Sequence, residues 1–210
     1  MITPFKDIVI PKPWGYEYLL YQNKDVALWY LYIIKDQETS LHAHPNKKTG
    51  LVVLSGQAKI SFLSNSTIHN PADKVMIRHG VFHKTHAVDT NIEILEVETP
   101  VDKEDIIRLK DQYGRAGMPY ESNDRYTQHV DRYKLNYGMN NIGECKINIC
   151  RVYSAQDIYN LKADKILVLK GYVYLNKNII VGPGDILEHK NLRLMIENFN
   201  MKPMLIMEIN

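Results

Sequence analysis

Short apolar segments rich in β-branched and aromatic residues recur along most of this 210-residue chain, separated by Gly, Asn, Asp or Pro. Segments of this kind are typical of β-strands joined by tight turns. The pattern therefore predicts an all-β protein built as a barrel or a sandwich. The segments are ALWYLYII, GLVVLSG, AKISFL, KVMIR, IEILEVE, KINICRVY, KILVLKG, YVYL, NIIVG and PMLIMEI.

The second part of the chain repeats the first in outline. The run GLVVLSGQAKISF is followed by a turn and DKVMIRHG, and the later run KILVLKGYVYLNKNIIVGPGDILEH has the same order, with Gly171 in the place of Gly56. Recurrence of one supersecondary unit in a fixed order indicates a duplicated module, although one degenerate fold is the alternative.

Three histidines form the candidate site. His42 and His44 are two residues apart, so both side chains point to one face if the segment is a strand. His83 follows another glycine farther along the chain. Neutral imidazoles are common ligands of divalent transition metals, and three of them leave coordination positions open. The sequence predicts a metal site at His42, His44 and His83, against the alternative of histidines that are hydrogen-bonded in the core.

The predicted boundaries follow from these patterns. We expect a metal-binding domain at residues 1–115, a polar, tyrosine-rich connector at residues 116–144, and a second half without a metal motif at residues 145–210. The acidic start of DKEDIIRL predicts a short helix over residues 102–109. Cys145 and Cys150 are five apart, so on a strand they face opposite sides and do not form a disulfide.

Composition excludes several classes of partner. There are 26 basic and 24 acidic residues, which give a net charge of +2, and the chain has no long block of Lys or Arg. Neither nucleic acid nor an anionic membrane is an expected partner. The longest apolar stretch, residues 26–34, is too short to span a bilayer, and MITPFKD lacks the regions of a signal peptide. The default expectation is a cytoplasmic location.

The histidine segments also carry a family resemblance. Residues 42–56 resemble the first motif of the cupin superfamily, and Gly80 with His83 resembles the second. The runs KPWGYE, LVVLSGQAKI and VETPVDKEDIIRLKDQYGR resemble the cupin domain of type II mannose-6-phosphate isomerases. The resemblance implies a cupin barrel, a double-stranded β-helix of the jelly-roll type, with a degenerate cupin-like second half. It also implies a divalent metal (Zn, Fe, Mn or Ni) and a homodimer.

The sequence departs from the cupin motif at one ligand. The usual glutamate position holds Thr49, or Lys48 on the shorter spacing. Without that carboxylate, three histidines alone would hold the ion. An inward-pointing Lys48 would instead repel a cation, and the barrel would function without metal.

The resemblance implies isomerisation or epimerisation of a sugar phosphate or nucleotide sugar in polysaccharide biosynthesis. Arg108 and Arg115 are the predicted phosphate ligands, because guanidinium groups match phosphate oxygens. The alternative is that they form surface ion pairs with Asp105 or Asp111. The alternative functions are a three-histidine Fe(II) dioxygenase and a non-catalytic sugar-binding module. No acid–base residue is assigned; the weak candidates are His79, His86, Lys35 and Glu17.

Overall fold

The computed structural model describes residues 5–120 and 130–210. These residues form antiparallel strands with two helices. The strands are β1 (Val9–Lys12), β2 (Gly15–Gln22), β3 (Ala27–Ile33), β4 (Leu41–Ala43), β5 (Lys48–Ser55), β6 (Ala58–Ser61), β7 (Ser66–His69), β8 (Lys74–Ile77), β9 (Lys84–Ala87), β10 (Ile92–Thr99), β11 (Ile107–Lys110), β12 (Gly138–Ile142), β13 (Cys145–Val152), β14 (Lys165–Lys170), β15 (Val173–Leu175), β16 (Asn178–Val181), β17 (Ile186–Glu188), β18 (Asn200–Met201) and β19 (Met204–Ile209). The helices are α1 (Ala155–Asn160) and α2 (His189–Asn198).

The first half has the strand order of an eight-stranded jelly roll. Strands β3, β10, β5 and β8 are neighbours in a six-stranded sheet that β1 and β2 extend. Strands β7, β6 and β9 form the facing sheet, and isolated bridges from Glu38 to His86 and from His42 to His83 attach the chain around β4 to it. From β3 to β10, successive strands thus alternate between two sheets, except for the β6–β7 hairpin, as in a double-stranded β-helix.

The second half has the same strand order. Strands β13, β19, β14 and β17 are neighbours in one sheet, and β16, β15 and β18 form the other. They correspond to β3, β10, β5, β8 and to β7, β6, β9, so the predicted repetition is confirmed by topology. Helix α1 occupies the place in the chain that β4 has in the first half. Strand β12 falls inside residues 116–144 and pairs with β13.

One turn repeats in detail. Backbone hydrogen bonds of 2.9 and 3.0 Å join residues 72 and 73 to Val53, and bonds of 2.8 and 3.0 Å join residues 184 and 185 to Val168. In each turn the aspartate carboxylate also accepts from the backbone N–H three residues earlier, at 2.8 Å in both cases. The two strands that carry the valines are β5 and β14, which are therefore equivalent.

The two halves share a hydrophobic core. Leu54 and Val97 from the six-stranded sheet belong to the same buried cluster as Leu167, Met207 and Ile209 from the second half. Burial of apolar surface is the dominant favourable term in such packing. The second half therefore covers the outer face of the first half's larger sheet, while the inner face of that sheet is directed into the first barrel.

The predicted helix over residues 102–109 is wrong. Strand β11 pairs with β4, with Ile107 opposite Ala43 and Arg108 opposite His42. The Asp105 carboxylate accepts from the backbone of Asn46 and Lys47 instead of starting a helix. Tertiary pairing supplies the backbone hydrogen bonds here, and it overrides a weak local signal.

Two smaller expectations can be compared with the structure. Cys145 and Cys150 are free thiols, and they pack into different clusters on opposite faces of β13, as predicted. Neither α1 nor α2 is long and apolar enough to cross a membrane, and the same holds for every helix within the described ranges.

Candidate metal centre

The three predicted histidines meet inside the first barrel. His42 lies on β4, His44 follows it, and His83 precedes β9. Backbone hydrogen bonds of 3.0 and 2.8 Å join His42 and His83. One ring nitrogen from each histidine lies within 4.8 Å of those of the other two, and all three residues are buried. Two separate strands thus place three imidazoles around one point.

Each imidazole is oriented by a backbone carbonyl. A carbonyl oxygen only accepts hydrogen bonds, so the Nδ1 atom that contacts it must carry the proton. Each Nε2 atom then has a free lone pair, which is the arrangement commonly found in metal-binding histidines. The carbonyl partners are those of Ser40 for His42 at 2.8 Å, Asp105 for His44 at 2.6 Å and Val81 for His83 at 3.0 Å.

Burial keeps these histidines neutral. It lowers the pKa of His44 to about 2 and the pKa of His83 to about 4, and it holds the pKa of His42 well below its ordinary value. The neighbouring positive charge of Lys47 lowers all three pKa values further. Neutral imidazole is the form that binds a metal. Moreover, the buried Nε2 atom of His44 has no hydrogen-bond partner among the residues that the structure describes. The donor set fits a divalent transition metal.

The missing glutamate position is occupied by an inward-facing threonine. Thr49 is 1% exposed and shares the face of β5 with Leu51 and Val53, which pack inside the first barrel. Its hydroxyl has no hydrogen-bond partner within the described ranges. Lys48 points the other way and pairs with Asp185 of the second half at 2.6 Å. The interpretation that Lys48 enters the barrel and repels a cation is therefore wrong.

A carboxylate that the motif did not predict lies beside the histidines. Glu96 on β10 is 7% exposed, and its Oε1 atom is 3.9 Å from Nε2 of His44. Burial raises the pKa of Glu96 to about 7, against the opposing effect of Lys103. The sequence does contain a signal for this carboxylate in the segment IEILEVE. Glu96 and Glu98 alternate with Ile94 on one face of the strand, and Ile94 points into the barrel.

Buried ion pairs adjoin the centre. Lys47 and Glu98 are each 1% exposed and are 2.7 Å apart, and the Glu98 carboxylate also accepts from the indole N–H of Trp29. Lys103 lies 3.3 Å from Glu17 and stacks 3.9 Å above the Trp29 ring. Because isolated buried charges are very unfavourable, this pairing is what allows the barrel to hold them.

Both predicted phosphate ligands line the same cavity as the histidines. Arg108 is 5% exposed and donates from Nη1 to the carbonyl oxygen of Met118 at 2.8 Å. Arg115 pairs with Asp111 at 2.8 Å, which is the ion-pair alternative considered for it. The carboxylate of Asp105, the other predicted acidic partner, binds the backbone at Asn46.

The cavity is small and highly charged. Its volume is about 50 Å³, and Tyr120 forms part of its wall, with Lys12 stacked 4.1 Å from the Tyr120 ring. Of the acid–base candidates from sequence, Glu17 lines the cavity, whereas the described lining contains neither Lys35 nor the other two histidines. The charged lining residues are Lys12, Lys47, Lys103, Arg108, Arg115, Glu17, Glu96 and Glu98.

No family model matches this chain. No curated protein matches it either.

Several solved structures are similar to part of this chain. A cupin-2 domain containing protein from Shewanella frigidimarina is 19% identical over 40% of this chain and 78% of its own, with a TM-score of 0.37. A putative sugar phosphate isomerase from Acidithiobacillus ferrooxidans is 21% identical over 37% of this chain and 52% of its own, with a TM-score of 0.35. The capsular polysaccharide assembling protein CapF from Staphylococcus aureus is 17% identical over 50% of this chain and 34% of its own, with a TM-score of 0.44. The strand order itself defines the fold: two cupin-type double-stranded β-helices in one chain, of which the first holds the three histidines.

Proposed function

We propose that this protein is a metal-dependent enzyme that isomerises or epimerises a sugar phosphate or a nucleotide sugar. The observation that carries the proposal is the convergence of one ring nitrogen from each of three buried histidines at a cavity with buried lysines and carboxylates. The likeness of KPWGYE and of the run from Val97 to Arg115 to type II mannose-6-phosphate isomerases supports the choice of substrate class.

His42, His44 and His83 would hold the ion, with Zn, Fe, Mn and Ni all compatible with imidazole ligands. A bound divalent ion polarises a carbonyl and its neighbouring hydroxyl, which lowers the barrier to removing the proton between them. The chain's own contribution is to fix the three rings through Ser40, Val81 and Asp105 and to keep the imidazoles unprotonated.

The charges of the lining favour an anionic ligand. Five cationic and three acidic side chains line the cavity in the part of the chain that the structure describes. A divalent ion adds further positive charge, so a phosphate group would be attracted. Arg108 and Arg115 remain our candidates for contacting it, in competition with their present partners Met118 and Asp111.

The size of the cavity sets a condition on this proposal. Sites for small organic ligands usually have volumes of about 300–1,000 Å³. The cavity of about 50 Å³ is much smaller, so a sugar phosphate enters only if part of the wall moves. Tyr120, whose hydroxyl donates a hydrogen bond to the Glu17 carboxylate, is the wall residue that we expect to move.

Solvent exchange tests the proposal. Purified protein, with its metal content measured, is incubated in D₂O with fructose-6-phosphate or mannose-6-phosphate, and NMR follows interconversion and loss of the proton on the reacting carbon. We expect turnover that falls at least about 100-fold in His44→Ala, since a metal contributes several kcal/mol to such a step. Metal-loaded protein that turns over neither these compounds nor a panel of nucleotide sugars would contradict the proposal.

One observation favours a second candidate, a three-histidine Fe(II) dioxygenase. Thr49, rather than a carboxylate, occupies the inward position on β5. Iron-loaded protein that consumes oxygen in the presence of a small organic substrate would support this function. Protein that binds sugars without metal or turnover would instead support the non-catalytic alternative.

We also propose that the protein forms a homodimer. The second half already covers the outer face of the six-stranded sheet. A homodimer would therefore form through another surface, and the molar mass in solution tests it.

A further inference from the structure

Two polar groups that line the cavity, the imidazole of His44 and the carboxylate of Glu96, face each other without a hydrogen bond between them. Nε2 of His44 and Oε1 of Glu96 are 3.9 Å apart, which is beyond hydrogen-bond distance. Neither the His44 Nε2 atom nor the Glu96 carboxylate has a hydrogen bond within residues 5–120 and 130–210; the nearest cation to Glu96 is Lys103, at 3.9 Å. Buried carboxylates without donors are costly, so such a pair indicates a ligand between them.

The other carboxylates of the cavity are already engaged. Glu98 accepts from Lys47 and from the Trp29 indole, and Glu17 pairs with Lys103. Glu96 is therefore the carboxylate of the described lining whose oxygens are available to a new partner.

We infer that Glu96 is a fourth protein ligand of the metal. Zinc-type ions lie about 2.0–2.2 Å from imidazole nitrogen and carboxylate oxygen, so two ligand atoms of one ion are at most about 4.2 Å apart. The 3.9 Å between His44 Nε2 and Glu96 Oε1 satisfies this limit. Glu96 is not among the residues whose ligand atoms all lie within 4.8 Å of one another, so its side chain has to move closer to the other two imidazoles when an ion binds. A hydrogen bond does not explain the pair, because 3.9 Å is too long for one.

The carboxylate ligand then comes from a different strand than the cupin motif predicts. The motif places the carboxylate on β5, at the position of Thr49. Glu96 lies on the neighbouring strand β10, where it pairs with Leu51 of β5, and Glu98 is the residue that pairs with Thr49. A carboxylate from β10 lowers the charge of a bound divalent centre from +2 to +1. The inference rests on the metal site of the proposed function, but it is independent of the substrate.

Cobalt titration tests the inference. Metal-free parent, Glu96→Gln and Glu93→Gln are titrated with Co²⁺, and both visible absorption and competition with a chelator are measured. Glu93 lies on the same strand but outside the cavity, where its side chain contacts Tyr30 and Tyr133, so Glu93→Gln is the matched control. We expect Glu96→Gln to weaken Co²⁺ binding at least about tenfold and to alter the spectrum, with Glu93→Gln unchanged. Glu96→Asp keeps the charge but shortens the side chain, so we expect an intermediate loss.

Stability gives a second measurement. Metal-free Glu96→Gln should be at least as stable as the metal-free parent, since it removes a buried charge without a donor. Unchanged Co²⁺ affinity and spectrum in Glu96→Gln, or in Glu96→Asp if the first variant does not fold, would overturn the inference. Parent protein that binds Co²⁺ through Glu96 but converts no sugar phosphate would contradict only the proposed function.

Discussion

Glu208 occupies in the second barrel the position that Glu96 occupies in the first. Ile94 pairs with Val53 and Ile206 pairs with Val168, and each glutamate follows two residues later. Glu96 faces an imidazole, whereas the Glu208 carboxylate accepts from the backbone N–H groups of residues 162 and 163, at 3.1 and 3.3 Å. The same inward carboxylate is satisfied by the chain in one barrel and is available for a ligand in the other.

His44→Ala should abolish metal retention. The substitution removes one of three converging nitrogens, and the open position cannot be filled by Thr49. The measurement is metal content after dialysis against a weak chelator. His69→Ala, on the outer strand β7, is the control and should retain metal. Stoichiometric metal at parental affinity in His44→Ala would show that the ligand assignment is wrong.

Thr49→Val should leave metal affinity unchanged and should not destabilise the protein. A buried hydroxyl without a partner costs about 1–3 kcal/mol, so its replacement by a methyl group is neutral or stabilising. Thr39→Val is the contrasting variant, because the Thr39 hydroxyl accepts from the backbone of Thr85 at 3.0 Å. Urea unfolding compares the two. Loss of metal in Thr49→Val would instead identify Thr49 as a ligand.

Lys47→Met should lower the free energy of unfolding much more than Lys48→Met does, although the two residues are adjacent. Lys47→Met leaves the fully buried Glu98 without its closest partner, and breaking such a pair costs about 3–5 kcal/mol. The Lys48–Asp185 pair is about one-third exposed, so its loss costs no more than about 1 kcal/mol. Equal free energies of unfolding for the two variants would contradict the buried network.

The equivalent glycines of the two halves should both resist substitution. Gly56 has φ +72° and Gly171 has φ +81°, and an added Cβ would lie 2.7 Å from the Asn91 oxygen and 2.2 Å from the Pro203 oxygen. We expect each Gly→Ala substitution to lower the free energy of unfolding by more than about 1–2 kcal/mol, which is the conformational cost of a left-handed backbone alone. Gly138→Ala, at φ +91° with no atom within 4 Å, should show that cost alone. A Gly171→Ala variant as stable as Gly138→Ala would contradict the close approach.

Metal-free protein should lose stability as the pH falls from about 6.5 to about 4. The unfolded chain protonates its histidines near pH 6.5, whereas the pKa of folded His83 is about 4 and that of His44 is about 2. The unfolded state binds more protons in this range, so each buried histidine lowers the free energy of unfolding by about 1.4 kcal/mol per pH unit.

Glu96 acts in the opposite direction. Its pKa of about 7 means that the folded state keeps a proton that the unfolded state releases above about pH 4.5. Protonation of Glu96 therefore offsets the destabilising effect of about one histidine. Urea unfolding at pH 7.5, 6.0 and 5.0 measures the net slope. A free energy of unfolding that is constant over this range would contradict the buried, neutral histidines.

The sequence predicted the elements whose pattern is local. Alternation in LHAH and the glycine before His83 were enough to identify three side chains that do meet, and each strand segment from ALWYLYII to PMLIMEI contains an observed strand. The repeat was also visible, because its turns and glycines recur in order.

Features that depend on tertiary contacts were not predicted. Residues 102–109 resemble a helix start, but pairing with β4 decides their conformation. The role of Glu96 depends on its distance from His44, which no spacing reveals. Helix α1 has a local signal in the sequence, because Ser154 and Asp157 form a capping box.

The shared core between the barrels has a consequence for how the protein tolerates change. The half without histidines serves the other as a built-in partner, in the way that a second copy does within a symmetric oligomer. Substitutions that weaken the contact between the two halves would expose a broad hydrophobic surface. The protein would then aggregate before its metal site was altered.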